Sequence, residues 1–118
     1  MRLLMLIGTV WALDVMHGQL QGYFSYDEVV DILDGFHSRF PNLVSAKFSI
    51  GKTVEQRNIW AVRLSSTPLP TEQGTLLVMA AHHAKELISV SFVLWAVDQL
   101  LTSNSTLSQY LLRTRSLM

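Results

Sequence analysis

The chain has 118 residues, and its nine Lys and Arg residues balance nine Asp and Glu residues, so its formal net charge at pH 7 is zero. A protein that neutralises many phosphates carries an excess of positive charge, so nucleic acid is not an expected partner. The sequence contains no cysteine, which excludes disulfide bonds and thiolate zinc sites. Any bound metal would therefore be held by His, Asp or Glu.

The N-terminus has the pattern of a secretory signal peptide. Met1 and Arg2 give a short positive start, and Leu3 to Leu13 form an almost unbroken apolar run. This run is too short to span a bilayer but suits the core of a signal peptide. We therefore predict a signal peptide at residues 1–18 and a secreted, extracellular protein; the alternative is a buried N-terminal strand or helix. No later apolar run approaches spanning length, so we expect no membrane span.

A helix is predicted from Tyr26 to Arg39. Ser25 and Glu28 have the spacing of a capping box, in which each side chain accepts a hydrogen bond from the backbone N–H of the other residue. Apolar residues then recur every three or four positions, as on the buried face of a helix. Pro41 is expected to end the helix, because the residue before a proline avoids helical backbone.

Two strands are predicted next. Residues 44–50 alternate apolar and polar side chains, which fits a half-buried strand that ends at Gly51. A second strand is expected from Ile59 to Leu64, after a polar turn. The segment from Ser65 to Gly74 contains two prolines and is predicted to be a loop.

A third strand is predicted from Thr75 to Ala81, where the side chains are apolar on both faces. Such a run is typical of an interior strand in a sheet that is covered by helices. After Glu86, apolar residues keep helical spacing for about four turns, and the polar residues from Thr102 to Thr106 end this second helix. The last residues, Gln109 to Met118, are expected to lead toward a further strand that the chain does not contain.

This order of elements predicts a layered α/β fold. Two or three strands are too few to support a helix layer on each face of a sheet, and the predicted interior strand needs neighbours on both sides. We therefore expect an incomplete domain.

Polar residues concentrate where the third predicted strand ends, at His82, His83, Lys85 and Glu86. Ligands of open α/β sheets bind outside the carboxyl ends of the strands. Zinc accepts imidazole nitrogen and carboxylate oxygen, and a His and a Glu three residues apart at a bend from strand into helix can reach one ion. The H-x-x-E spacing also occurs by chance, and a His at a strand end is commonly only a hydrogen-bonded polar residue.

Several motifs, in order, resemble the zinc carboxypeptidase family, the relatives of the pancreatic carboxypeptidases. The resemblance covers Tyr23 to about Leu101 and closes on residues 83–89, whose sequence H-A-K-E-L-I-S is similar to the H-A-R-E-W-I-S zinc motif of that family. The earlier matching segments are Tyr26-Asp27-Glu28, Phe40-Pro41-Asn42-Leu43-Val44, Ile50-Gly51-Lys52-Thr53-Val54-Glu55, and Arg57 with Ile59. The resemblance implies that residues 19–118 are the N-terminal part of a carboxypeptidase-like catalytic domain, with a mixed sheet in an α/β/α arrangement.

The resemblance also implies Zn²⁺ as the cofactor, with His83 and Glu86 as two of its ligands, and peptide or protein C-termini as substrates. Lys85 stands where the family commonly has an arginine that helps to bind substrate, and lysine keeps the charge but lacks the two-pronged guanidinium. The third ligand of the family, a histidine, and its general-base glutamate lie well downstream, and this chain has no histidine after His83. We therefore assign no catalytic residue and expect that the residues present do not suffice for catalysis.

Two other functions stay open. The chain could be a catalytically inactive truncated isoform or fragment that acts, if at all, by binding another chain through the apolar surface that its missing strands would cover. It could also be a related zinc amidohydrolase or deacylase that uses the same H-x-x-E start on small amide substrates.

Other polar residues have simpler interpretations. His37 is expected to be a solvated histidine on the first helix, and Glu55 and Glu72 to be solvated loop carboxylates. His82 points away from His83 if the alternation of the strand continues. Asn104-Ser105-Thr106 is an N-glycosylation sequon, which in a secreted protein would mark Asn104 as an exposed position.

Overall fold

The computed structural model describes residues 18–66 and 74–118. The signal peptide predicted at residues 1–18 therefore lies outside the described residues except for Gly18, and so does Glu72. The elements in chain order are α1 (Tyr26–Arg39), β1 (Phe48–Lys52), β2 (Asn58–Ala61), β3 (Thr75–Leu76), α2 (Leu87–Thr102), α3 (Thr106–Thr114) and β4 (Ser116–Leu117). This mixture of helices and small sheets confirms the predicted α/β class.

Helix α1 begins and ends where the sequence predicts. The N–H of Ser25 donates to Glu28 Oε2 at 2.8 Å, and the N–H of Glu28 donates to Ser25 Oγ at 3.4 Å, so the capping box forms in full. Phe36 carries the buried face of the helix and is 1% exposed. The helix ends at Arg39, two residues before Pro41.

The capping box predicts a pH-dependent contribution to stability. Hydrogen bonds from the backbone and side chain of Ser25 and from the backbone N–H of Gln19 hold the pKa of Glu28 below its ordinary value of 4.5. Because the folded-state pKa is the lower one, this stabilisation is fully present above the unfolded-state pKa and is lost as the pH falls through the folded-state pKa. Glu28→Gln is therefore expected to lower the free energy of unfolding at neutral pH and to change it little in strong acid.

Urea unfolding of the wild-type and Glu28→Gln chains at neutral and acidic pH measures this contribution. Asp31→Asn is the control, because it makes the same change from carboxylate to amide at an exposed residue one turn further along the same helix, and we expect it to lower the free energy of unfolding at neutral pH by less than Glu28→Gln does. A Glu28→Gln effect as large in acid as at neutral pH would contradict the prediction.

The strands form two pairs. β1 and β2 are antiparallel, with a bulge between Ser49 and Gly51. β3 and β4 are parallel, and helices α2 and α3 form the crossover connection that a parallel pair requires.

Leu64 joins the two pairs. Isolated bridges connect it to Val44, which precedes β1 in the chain, and to Leu117 in β4. The N–H of Leu64 donates to the carbonyl of Leu117 at 2.8 Å, and the N–H of Leu117 donates back at 3.0 Å. The lateral order is therefore β1, β2, β4, β3. The β3–β4 neighbours are parallel, and the β1–β2 pair and the Leu64–Leu117 bridge are antiparallel.

The prediction of a half-buried first strand is wrong for most of its length. Val44 is buried, but all five residues of β1 are exposed, and Ile50 is 55% exposed. Alternation along a strand shows which side chains share a face, but it does not show whether another layer covers that face. The second strand is also shorter than predicted, although Val62 and Leu64 beyond its end are buried.

The prediction of a long interior strand from Thr75 to Ala81 is also wrong. β3 contains only Thr75 and Leu76, and the apolar side chains from Leu76 to Met79 are 45–56% exposed. Within residues 18–66 and 74–118, β3 pairs with β4 alone, so its other edge has no partner strand there. The apolar composition indicated a buried environment, and burial needs neighbours that this part of the chain does not provide.

The end of the chain contains structure that the sequence did not predict. Residues from Gln109 onward were expected to hold no strand, but they continue α3 and then form β4. Ser105 starts α3, because its Oγ accepts a hydrogen bond from the N–H of Ser108 at 3.1 Å. The polar residues that end α2 therefore also cap the next helix.

The core lies between the helices and the segment around Leu64. Its buried apolar members are Phe24, Phe36, Val44, Val62, Leu64, Leu94, Leu101, Leu112 and Leu117. The opposite side of α2 is exposed in the described part of the chain, where Ile88 and Phe92 are 66% and 62% exposed. No single helix in residues 18–66 and 74–118 is long and apolar enough to cross a membrane, although α2 and α3, bent by 99° where they meet, pass that test as a pair by length and composition.

Candidate metal site

His83 and Glu86 are the two ends of a tight turn between β3 and α2, which we call the His83–Glu86 turn (residues 83–86). The N–H of Glu86 donates to the carbonyl oxygen of His83 at 2.9 Å, and the N–H of His83 donates to Glu86 Oε2 at 3.4 Å. His83 is exposed, and Glu86, at the N-cap of α2, is half-buried. The turn therefore brings together the imidazole-bearing residue and the carboxylate that the sequence predicts as metal ligands.

Ser89 connects the end of the strand region to the start of the helix. Its Oγ donates to the carbonyl oxygen of Glu86 at 2.6 Å and accepts from the N–H of Ala81 at 3.0 Å. Ala81 has φ +55°, a left-handed conformation that a residue with a Cβ keeps only where its surroundings hold it. Ser89 is therefore a positioning residue for the turn.

The sequence analysis quoted Ser89 only as part of a motif and did not assign it this role. A serine in the first turn of a helix commonly bonds nearby backbone groups, so the pattern was present. The partner at Ala81, eight residues earlier, could not be identified without the fold.

The other predicted polar residues divide into two groups. Lys85 is exposed within the His83–Glu86 turn, and His82 is exposed immediately before it. His37 and Glu55 lie elsewhere and belong to local contacts. His37 Nδ1 lies 2.8 Å from the carbonyl oxygen of Val44, and Glu55 forms an ion pair with Arg57.

The prediction of His37 as a solvated surface residue is therefore wrong. The imidazole is half-buried and connects α1 to Val44 at the start of the sheet region. Helical periodicity placed His37 outside the apolar stripe, but it could not show that a later segment of the chain returns to that position.

The donor types at the turn fit zinc, because zinc accepts imidazole nitrogen and carboxylate oxygen. The number of donors is smaller than the three protein ligands that a catalytic zinc typically has. In the part of the chain that the structure describes, no group of three or more His, Cys, Asp or Glu residues could hold a metal ion. The turn therefore offers two donors of a zinc site.

A comparison of the sequence with models of protein families agrees with the fold and with the residues in the turn. The sequence model of the peptidase M14 zinc carboxypeptidases matches residues 29–117, which include the His83–Glu86 turn. The chain belongs to the zinc carboxypeptidase family. This confirms the resemblance found in the sequence.

Two relatives also match about two thirds of the chain. An inactive metallocarboxypeptidase of Saccharomyces cerevisiae is 36% identical over 81 residues, which are 67% of this chain and 19% of that protein. A zinc carboxypeptidase of Saccharothrix mutabilis subsp. capreolus is 32% identical over 79 residues, which are 66% of this chain and 18% of that protein. The chain thus spans about a fifth of the length of these two relatives.

A solved structure supports the fold. The crystal structure of thrombin activatable fibrinolysis inhibitor superposes with a TM-score of 0.70 at 23% identity, covering 82% of this chain and 25% of that one. The arrangement of helices and sheets described above therefore corresponds to about a quarter of that structure.

Proposed function

We propose that this polypeptide supplies the first part of a zinc carboxypeptidase domain that releases amino acids from peptide and protein C-termini. His83 and Glu86 act as two zinc ligands. The observation that carries the proposal is the His83–Glu86 turn, which places a histidine and a carboxylate together after β3 within the matched region. When bound, zinc supplies Lewis-acid polarisation of the scissile carbonyl and activation of water.

The residues of this chain would bind and orient. Glu86 is held from two sides, since its N–H bonds to His83 and its carbonyl accepts from Ser89. Fixing the backbone at both ligand positions limits the directions in which the two side chains can point. Lys85, exposed in the same turn, would offer a positive charge to a carbonyl or carboxylate of the substrate, as a point charge without the fork of an arginine.

Catalysis is a separate question from zinc binding. The two relatives differ on this point, because one is an inactive metallocarboxypeptidase and the other a zinc carboxypeptidase. We propose that a third ligand and a general base come from outside the described residues. Turnover would then require those additional groups.

Zinc titration of the 118-residue chain by calorimetry tests the proposal. We expect weak, saturable binding of one zinc ion, and at least about a tenfold loss of affinity in His83→Ala and in Glu86→Ala, because each substitution removes one of two protein donors. The release of C-terminal amino acids from mixed peptides, followed in the same samples, reports turnover independently.

Two variants serve as matched controls for the titration. His82→Ala removes the neighbouring exposed imidazole, and Glu55→Ala removes an exposed carboxylate in the β1–β2 turn. Both are expected to bind zinc as the wild-type chain does. Equal zinc affinity in the wild-type, His83→Ala and Glu86→Ala chains would refute the proposed ligands.

A binding function is the second candidate, and the exposed apolar surface favours it. Phe92 and Trp95 on α2 line a shallow groove, with their ring centroids 5.9 Å apart. Further apolar side chains are exposed in β3 and just after it, and β3 has one edge without a partner strand within residues 18–66 and 74–118. An uncovered strand edge and an uncovered apolar helix face are both sites of protein association. The zinc titration separates the candidates, since a chain that acts only through this surface does not need His83 and Glu86 to bind metal.

We also propose that the protein enters the secretory pathway. The support is the basic and then apolar pattern of residues 1–18, which is the pattern of a signal peptide. Peptide substrates outside the cell would be consistent with this route.

A further inference from the structure

The connection between α2 and α3 places Asn104 at the surface. Residues 103–105 join two helices that are bent by 99° relative to each other, and Asn104 is exposed at this bend. Its backbone carbonyl accepts a hydrogen bond from Gln109 Nε2 at 3.5 Å. Its side-chain amide makes no hydrogen bond within residues 18–66 and 74–118, so a group attached there would displace no described contact.

The two following residues complete an N-x-T sequence at the start of α3. Ser105 uses its Oγ to cap α3, bonding to the N–H and Oγ of Ser108 at 3.1 and 2.8 Å. Thr106 is exposed at the first position of that helix. Asn104, Ser105 and Thr106 therefore all lie on the surface, and the fold has room for a large substituent at Asn104.

We propose that Asn104 carries an N-linked glycan and that this glycan covers the exposed apolar side chains at the start of α3. The proposal rests on the secretory route proposed above. In the reaction, Asn104 Nδ2 forms a bond to the anomeric carbon of a lipid-pyrophosphate-linked oligosaccharide. The bond from that carbon to the pyrophosphate oxygen breaks, the lipid pyrophosphate leaves, and the amide loses one proton.

The covered surface is defined by Leu107 and Tyr110, which are 66% and 57% exposed. They are three residues apart on α3 and so share a face of the helix, and Asn104 lies two residues before the start of that helix. A sugar chain at Asn104 stands beside this face and gives it a polar cover.

The glycan would not obstruct the candidate metal site. Helix α2 has 16 residues, and at a rise of 1.5 Å per residue it separates Asn104 from Glu86 by about 24 Å. Glycosylation and zinc binding are therefore independent and can be tested separately.

Translation of the full chain with endoplasmic-reticulum microsomes tests the site. We expect a slower-migrating product that endoglycosidase H restores to the original mobility. This product should be absent from Asn104→Gln and Thr106→Ala and should be retained in Thr106→Ser. It should also be retained in the control Asn42→Gln, which changes an exposed asparagine outside the sequon. Glycan transfer acts on the chain as it is translocated, so the readout does not depend on whether a variant folds. A shift that persists in Asn104→Gln would overturn the assignment.

A second version of the experiment tests the glycosylation site independently of the predicted signal peptide. The signal peptide of an unrelated secreted protein is fused ahead of Met1. A shift only in this fusion would retain Asn104 as the site and reject residues 1–18 as a working signal, whereas no shift in either arm would reject the site.

The aggregation of the protein tests whether the glycan covers the apolar face of α3. Endoglycosidase treatment of the secreted glycoprotein is expected to increase its aggregation, and a Leu107→Gln, Tyr110→Gln double variant is expected to remove that difference. Equal aggregation before and after treatment would reject the covering role.

Discussion

Phe36→Ala is expected to lower the free energy of unfolding by about 3–5 kcal/mol, which is the usual cost of truncating a buried phenylalanine. Phe36 is 1% exposed in α1 and belongs to the buried core cluster. Truncation removes its apolar contacts and leaves a cavity that a helix held by its capping box cannot readily close. The net stability of a small domain is about 5–15 kcal/mol, so this loss would be a large fraction of the total.

Urea denaturation followed by circular dichroism measures the effect. Phe92→Ala is the matched control, because it makes the same truncation at a residue that is 62% exposed on α2, and we expect it to change stability by about 0.5 kcal/mol or less. Similar losses in the two variants would contradict the position of the core between α1 and the sheet region.

Arg39→Met is expected to destabilise the protein by about 2–3 kcal/mol, at or just below the lower end of the range for breaking a buried ion pair. The carboxylate of Asp98 on α2 has a side chain that is only 7% exposed, and Arg39 Nη1 on α1 lies 3.7 Å from its Oδ1. Removing the cation leaves a buried carboxylate without its positive neighbour. The side chain of Arg39 is 30% exposed, and solvent therefore reduces the cost.

A double variant distinguishes this mechanism from a simple loss of packing. Arg39→Met combined with Asp98→Leu removes both charges, and it is expected to be more stable than Arg39→Met alone. Lys47→Met is the control for an exposed carboxylate, since its partner Asp34 has a side chain that is 51% exposed against 7% for Asp98, and it should cost about 1 kcal/mol or less. A double variant less stable than Arg39→Met would show that the buried charge is not the source of the effect.

The sequence predicts the parts of this fold that depend on near neighbours in the chain. The ends of α1 follow from Ser25, Glu28 and Pro41, all within a few residues of the helix. The extent of α2 follows from its helical spacing and from the polar residues after Leu101. The His83–Glu86 turn is local in the same sense, because its two hydrogen bonds join residues only three apart.

The errors arise where distant segments decide the environment. Thr75 to Ala81 has the composition of a buried strand, but its burial depends on neighbours, and the described part of the chain supplies β4 on one side only. His37 is half-buried because Val44 returns beside it. Asp98 lies on the buried side of α2 with Leu94 and Leu101, and its ion partner Arg39 comes from α1. Periodicity along one helix cannot identify a partner on another helix.

The sequence also predicted only the part of the candidate site that depends on near neighbours in the chain. His83 and Glu86 were identified from their spacing and neighbouring motifs, and the structure brings them into one turn. Ser89 was not, because its hydrogen bond to Ala81 exists only once the chain has bent.

Zinc K-edge X-ray absorption on the 118-residue chain, loaded with one equivalent of zinc, tests the proposed ligands most directly. We predict nitrogen and oxygen neighbours at about 2.0–2.2 Å, with the outer-shell scattering of one imidazole. That imidazole signal should disappear in His83→Ala and persist in His82→Ala. An imidazole signal that is unchanged in His83→Ala would show that the zinc lies elsewhere and would contradict the proposed site.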